Sequence, residues 1–189
     1  MVEAIRPQDP RRSPIVVLAA AANWAGQAQV AFPASEPHVI CINALDGSGQ
    51  GGWLNPEPTS AKRIATLGVA IESRWDGETV WLNGTSFATP IAAGIAANVL
   101  EFAKQKMPGM NEWEWRNLSS FRGMSDVLNL MSSKALGGRF SFLAPWRLAE
   151  KGLRTDEDIA RHFQDVLSMG YSGYVAFSTR NTTVYVTEG

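Results

Sequence analysis

The spacing of apolar residues changes several times along this chain, and each change marks an element. Ile15 to Ala22 is an unbroken apolar run closed by Asn23. So short a run with no polar alternation predicts a strand buried on both faces of a sheet, with Asn23 at its carboxyl end. Val39 to Leu45 predicts a second strand. Ile71, Trp75, Val80 and Leu82 alternate around Asp76-Gly77 and predict a short hairpin. Beyond Asn83 the spacing becomes helical. Small and apolar residues from Thr85 continue to about Lys106 and stop ahead of Pro108-Gly109. One further helix is expected from about Glu112 to Ser132, with Trp113, Trp115, Leu118, Phe121, Val127, Leu128 and Leu130 packing in the core. An irregular link through Gly137-Gly138 and Leu143-Ala144-Pro145-Trp146 follows. The next helix is expected from about Thr155 to Ser168, capped by Thr155 and acidic in its first turn. Residues 171–189 alternate like a terminal strand or hairpin, with Asn181 in a turn.

Composition narrows the class of protein without naming a chemistry. The 189 residues carry a net charge of −1, which gives no reason to expect nucleic acid or an anionic membrane as a partner. Cys41 is the only cysteine, so no intrachain disulfide forms, and its place in an apolar strand predicts inert packing. No signal peptide is visible and no uninterrupted apolar run approaches ~18 residues; the default expectation is an intracellular protein. Gly47 to Trp53 is a glycine-rich loop that lacks the Gly-Lys-Ser/Thr ending of a phosphate loop. No carboxylate cluster has the spacing of a calcium loop.

The stretch with chemistry in it is Asn83-Gly84-Thr85-Ser86-Phe87-Ala88-Thr89-Pro90. It sets Ser86 at the start of the small-residue helix, where unpaired N–H groups and the helix dipole favour negative charge. Such a place suits an oxyanion formed during acyl transfer. Pro90 falls in the first turn, where a missing N–H is tolerated. The plainer alternative is an ordinary helix start with Thr85 or Ser86 as its cap. Asn23 likewise reads either as a functional amide at a strand's carboxyl end or as a simple turn residue.

Four collinear segments resemble the subtilisin-like serine peptidases (subtilases, peptidase family S8). Gly84-Thr85-Ser86-Phe87-Ala88-Thr89-Pro90 is similar to the family's serine motif. Ala19-Ala20-Ala21-Ala22-Asn23 is similar to its A-A-A-G-N strand, with Ala22 where the family has glycine. Phe32-Pro33-Ala34 and the strand after it resemble the family's Y-P-A segment. Leu67-Gly68 stands where an A-P-G turn is usual. The resemblance covers roughly half of the chain and fades beyond about residue 110.

The resemblance implies an α/β fold, a three-layer, doubly wound and mostly parallel sheet. It divides the chain into 1–149, the C-terminal part of a peptidase domain, and 150–189, a helix-and-strand extension. It implies a serine endopeptidase acting on peptides or proteins, with Ser86 as acylated nucleophile and Asn23 in the oxyanion hole. No cofactor is evident; calcium is implied by the family alone. The family's D-T/S-G aspartate and H-G-T histidine motifs do not occur before Ser86. His38 lies in the lead-in to a strand and His162 on a charged helix, so neither is expected to act as base. Met1 to Arg6 resembles the last turn of a helix, so the chain is expected to begin inside such a domain, N-terminally truncated. The triad's base and acid are then expected from upstream sequence or a partner chain. The alternative is a catalytically inactive remnant that binds peptides or proteins.

Overall fold

A computed structural model describes residues 14–24, 29–59 and 63–169, and the backbone of two further strands, 175–179 and 182–186. Its centre is a five-stranded sheet of β1 (Leu18–Ala20), β2 (Ile40–Leu45), β3 (Ile64–Leu67), β6 (Ser132–Lys134) and β7 (Ser141–Leu143), in the order β1-β2-β3-β7-β6. β1, β2, β3 and β7 run parallel, and β6 is antiparallel at one edge. Two hairpins stand apart from this sheet: β4 (Ile71–Trp75) with β5 (Glu78–Leu82), and β8 (Val175–Thr179) with β9 (Thr182–Val186). The fold is α/β with a mostly parallel sheet, as the family resemblance implied.

β2 is buried along its whole length, Asn43 included, because both faces of the sheet are covered; the unbroken apolar run of 15–22 forms only the three-residue β1, and Ile15 is exposed. Ile40, Ile42 and Ala44 face helix α1 (Thr85–Lys106), which lies across β1, β2 and β3. Cys41 and Leu45 point the other way into two smaller apolar clusters, so Cys41 is buried packing. α1 presents Ala88, Ala92, Ala96, Val99 and Ala103 to the core. Steps of three and four residues place these on one face, and methyl side chains let the backbone come close to the sheet. α1 is also long and apolar enough, by length and composition, to cross a membrane; here its buried stripe rests on the strands.

The region after α1 departs from expectation. The single helix expected over 112–132 is two helices, α2 (Glu112–Leu118) and α3 (Phe121–Leu130). The cause is local hydrogen bonding by a serine, which competes with helix continuation. Ser120 Oγ donates to Asn117 O at 2.6 Å and accepts from Gly123 N–H at 3.2 Å, capping α3 where α2 ends. Gly123 is required there, since a Cβ would sit 2.2 Å from the Asn117 carbonyl oxygen. Trp113, expected in the core, is exposed on α2, while Leu118, Val127 and Leu128 are fully buried.

The link expected to be irregular holds the β6–β7 hairpin, turned by Gly137 and Gly138 at φ 87° and 69°. β7 pairs with β3, so three residues of an apparent loop form an interior strand. A short α4 (Arg147–Glu150) follows. α5 (Asp156–Met169) starts with the expected cap, Asp158 N–H donating to Thr155 Oγ1 at 3.1 Å. Its Phe163 and Leu167 join the same core as α1, α2 and α3. The terminal alternation forms β8 and β9, and Asn181 lies outside the described residues.

Candidate active site

The site is built where three chain segments meet at the carboxyl ends of β1 and β3. The first is the end of β1, continuing through Ala21 and Ala22 to Asn23. The second is the turn after β3. Gly68 N–H donates to Leu45 O at 2.8 Å, and Gly68 O accepts from Gly84 N–H at 2.8 Å. The third is the hairpin β4–β5, whose base is tied by Ala70 N–H donating to Asn83 Oδ1 at 2.8 Å. Asp76 and Gly77, at φ 50° and 82°, turn this hairpin as the Asp-Gly pair predicted. The chain therefore leaves β5 through Asn83 and Gly84 directly into α1, with Ser86 exposed in the first turn.

Gly68 explains how these segments come so close. A Cβ at residue 68 would lie 2.7 Å from Ala44 Cβ, 2.8 Å from Ala88 Cβ and 2.9 Å from Gly84 O. Only a bare backbone fits between the sheet, the helix and the turn that precedes Ser86.

The structure brings Ser86 and Asn23 to the same place through Thr85. Asn23 Oδ1 accepts from Thr85 N–H at 2.8 Å and from the Thr85 hydroxyl at 3.1 Å. The same Oγ1 accepts from Ala22 N–H at 3.3 Å. With its carbonyl oxygen fixed on Thr85, the Asn23 amide presents Nδ2, which lies 3.2 Å from where a Cβ of Gly84 would be. Thr85 is buried, whereas Asn23 and Ser86 are exposed, so the support is rigid and the two polar groups are accessible.

The first N–H groups of a helix have no intrahelical acceptor. Here Thr85 N–H goes to Asn23, and Phe87 N–H goes to Gly84 O at 3.0 Å, with Ala88 N–H on the same oxygen at 3.4 Å. Ser86 N–H remains without a partner among the described residues. The first turn of α1 holds no acidic residue to neutralise the dipole. A carbonyl oxygen gaining negative charge beside Ser86 thus meets a free backbone donor, a side-chain amide and a helix N-terminus.

Sequence reasoning named Ser86 and Asn23 but gave Thr85 only as an optional cap. Its role is to orient Asn23, and the available signal was a hydroxyl residue next to the serine. Ala22 stands at φ 110°, in the left-handed region that favours glycine. The position where the resembling family has glycine therefore demands a glycine-like backbone here as well.

Neither histidine lies at this end of the sheet. His38 precedes the amino end of β2 and packs edge-on against Phe121, with ring centroids 6.0 Å apart. His162 Nδ1 lies 3.1 Å from Asp158 O on α5. Its neighbour Phe163 packs against Phe102, roughly 24 Å along α1 from Ser86 at ~1.5 Å per residue. Among the described residues no group of three or more His, Cys, Asp or Glu side chains converges.

Comparison with known proteins bears on the family and the fold. The model of the subtilase family, Peptidase S8, matches residues 1–121. The M-protease of Shouchella clausii (strain KSM-K16) is 33% identical over 104 residues, covering 54% of this chain and 26% of that protein. Subtilisin BL of Lederbergia lenta is 33% identical over 104 residues, covering 54% of this chain and 36% of its own length. The subtilisin-like proteinase Mp1 of Magnaporthiopsis poae is 38% identical over 85 residues, 43% of this chain and 21% of that one. The chain thus spans about a fifth to just over a third of these relatives. Among solved structures, the prenylagaramide maturation protease PagA superposes with a TM-score of 0.55 at 22% identity, over 78% of this chain and 50% of that one. The patellamide maturation protease PatA gives 0.52 at 23%, over 79% and 52%. These two likenesses concern the fold.

Proposed function

The chain belongs to the subtilase family, and on that premise we propose that it carries the acyl-transfer half of a serine endopeptidase site. Ser86 Oγ is the nucleophile that attacks a peptide carbonyl. The oxyanion so formed takes hydrogen bonds from Asn23 Nδ2 and Ser86 N–H. The observation that carries this reading is the Asn23–Thr85 pair, which turns the amide N–H groups outward beside the serine.

A serine hydroxyl needs a base within hydrogen-bond reach. His38 and His162 are both placed away from Ser86. We assign the base and its orienting acid to polypeptide outside this chain, upstream sequence or a partner. A second reading, a peptide-binding subtilase without turnover, draws on the same displaced histidines.

The test compares the 189-residue chain alone with the chain supplied with a segment bearing the family's aspartate and histidine motifs. An unstructured protein serves as substrate. The expected result is no efficient proteolysis alone, and turnover on complementation that Ser86→Ala abolishes. Removing a triad serine or histidine costs about a millionfold in turnover in the subtilisin case, so the two states are easily separated. Turnover by the chain alone that Ser86→Ala abolishes would show that its base lies within it. Failure to cleave on complementation, with peptide still bound, would favour the binding reading.

A further inference from the structure

The hairpin β4–β5 has a feature that acyl transfer does not use. Its register places Trp81 directly opposite Glu72, and Trp75 directly opposite Glu78. Directly opposed residues share a face of the ribbon, with Cβ atoms roughly 5 Å apart. Both indoles are largely in solvent, at 62% exposure for Trp81 and 77% for Trp75. Among the described residues neither ring carries a stacked aromatic or cation, and neither glutamate is in an ion pair. The ribbon bears three carboxylates, Glu72, Asp76 and Glu78, against the single guanidinium of Arg74.

The backbone of the same ribbon is open along its edge. A two-residue turn makes Trp75 and Glu78 a hydrogen-bonded pair, and pairs alternate from there. Thr79 and Trp81 therefore turn their N–H and C=O groups outward from β5, and no hydrogen bond to them is described. An unpaired edge of this kind accepts an extended chain as a further strand. Trp81 lies three residues before Gly84 and five before Ser86, so this edge leads to within roughly 13 Å of Ser86, at ~3.3 Å per extended residue to Gly84 and ~1.5 Å per helical residue beyond it.

We propose that β5 receives an extended peptide by strand addition, and that Trp81 and Glu72 form a subsite for a lysine or arginine of that peptide. A basic side chain opposite Trp81 lies along the indole face and extends its charge to the Glu72 carboxylate one strand further on. The ring quadrupole and the carboxylate both favour a cation. This rests on the peptidase reading for its place near Ser86, and it adds the substrate class: unstructured segments with a basic residue about four positions from the reacting carbonyl.

The probe is an acetylated, amidated hexa-alanine peptide with lysine at its third position, compared with the same peptide carrying glutamate there. Each is titrated into the ¹⁵N-labelled full chain. The lysine peptide is expected to shift the Thr79 and Trp81 amides and the Trp81 indole N–H, and to bind about tenfold more tightly than the glutamate peptide. Glu72→Gln, which leaves the ribbon's shape intact, is expected to weaken the lysine peptide about threefold, and Trp81→Leu about fivefold. Equal affinity for the two peptides, or shifts that avoid residues 78–82, overturns the proposal. Lysine-selective binding without proteolysis on complementation would overturn the peptidase reading and leave the subsite standing. Proteolysis indifferent to lysine or glutamate would do the reverse.

Discussion

Asn23 and Thr85, which lie sixty-two positions apart in the chain, are joined by two hydrogen bonds: the Thr85 N–H and hydroxyl both donate to Asn23 Oδ1, at 2.8 and 3.1 Å. This pair fixes which end of the amide faces the space beside Ser86. Replacing Thr85 with valine keeps the buried volume and removes the hydroxyl. Thr85→Val is expected to lower stability by about 1 kcal/mol and to free the Asn23 side chain. Urea unfolding and the exchange rate of the Asn23 side-chain NH₂ protons measure the two effects; unchanged exchange would show that the backbone N–H alone suffices.

Ala22 offers a test of the opposite sign. At φ 110° an alanine is held in backbone territory that glycine enters freely. Ala22→Gly is expected to raise stability by about 1 kcal/mol, with relief of strain exceeding the added freedom of the unfolded chain. A loss of stability on Ala22→Gly, read by thermal or urea unfolding, would contradict the strain.

Gly68 is expected to tolerate no side chain. Its Cβ would meet Ala44, Ala88 and the Gly84 carbonyl at 2.7–2.9 Å, contacts made by the sheet and helix themselves rather than by a flexible side chain. Gly68→Ala is expected to cost ~2 kcal/mol or more and to displace the turn before Ser86. Gly94→Ala on the exposed side of α1 meets nothing within 4 Å and serves as the control. It is expected to be neutral or stabilising, since alanine is the better helix former.

Asp126 sets a pH dependence. Burial among the helices raises its carboxyl pKa above the usual range, and Arg122 only partly offsets this. With the folded pKa raised above the unfolded value of ~3.9, the native state binds more protons between the two, so this group's effect on stability worsens as pH rises through that window. Asp126→Asn is therefore expected to be more stable than the parent at neutral pH, with the advantage fading below about pH 4. Unfolding midpoints from acid to mildly alkaline pH check this; an advantage that grows in acid would reverse the sign.

Local chemistry determined much of this protein. The largely apolar β2, the Asp76-Gly77 turn, the small-residue helix from Thr85 to Lys106 and the Thr155 cap are each set by residues close in sequence, and each was legible there. Ser86 and Asn23 could be named as candidates too, because a glycine-serine helix start and an amide at a strand's end are local patterns. The break between α2 and α3 was hidden because Ser119-Ser120 sits in an otherwise helical apolar pattern, and one hydroxyl bond to Asn117 decides the outcome. β7 was hidden because three residues carry too little periodicity, and only pairing with β3 makes them a strand.

Tertiary structure alone decided the rest. The bond between Asn23 and Thr85, the squeeze on Gly68 and the separation of both histidines from Ser86 are distances between segments far apart in the chain. Spacing along a sequence encodes which face of an element a residue occupies. Which faces meet is set only when the whole sheet and its helices pack.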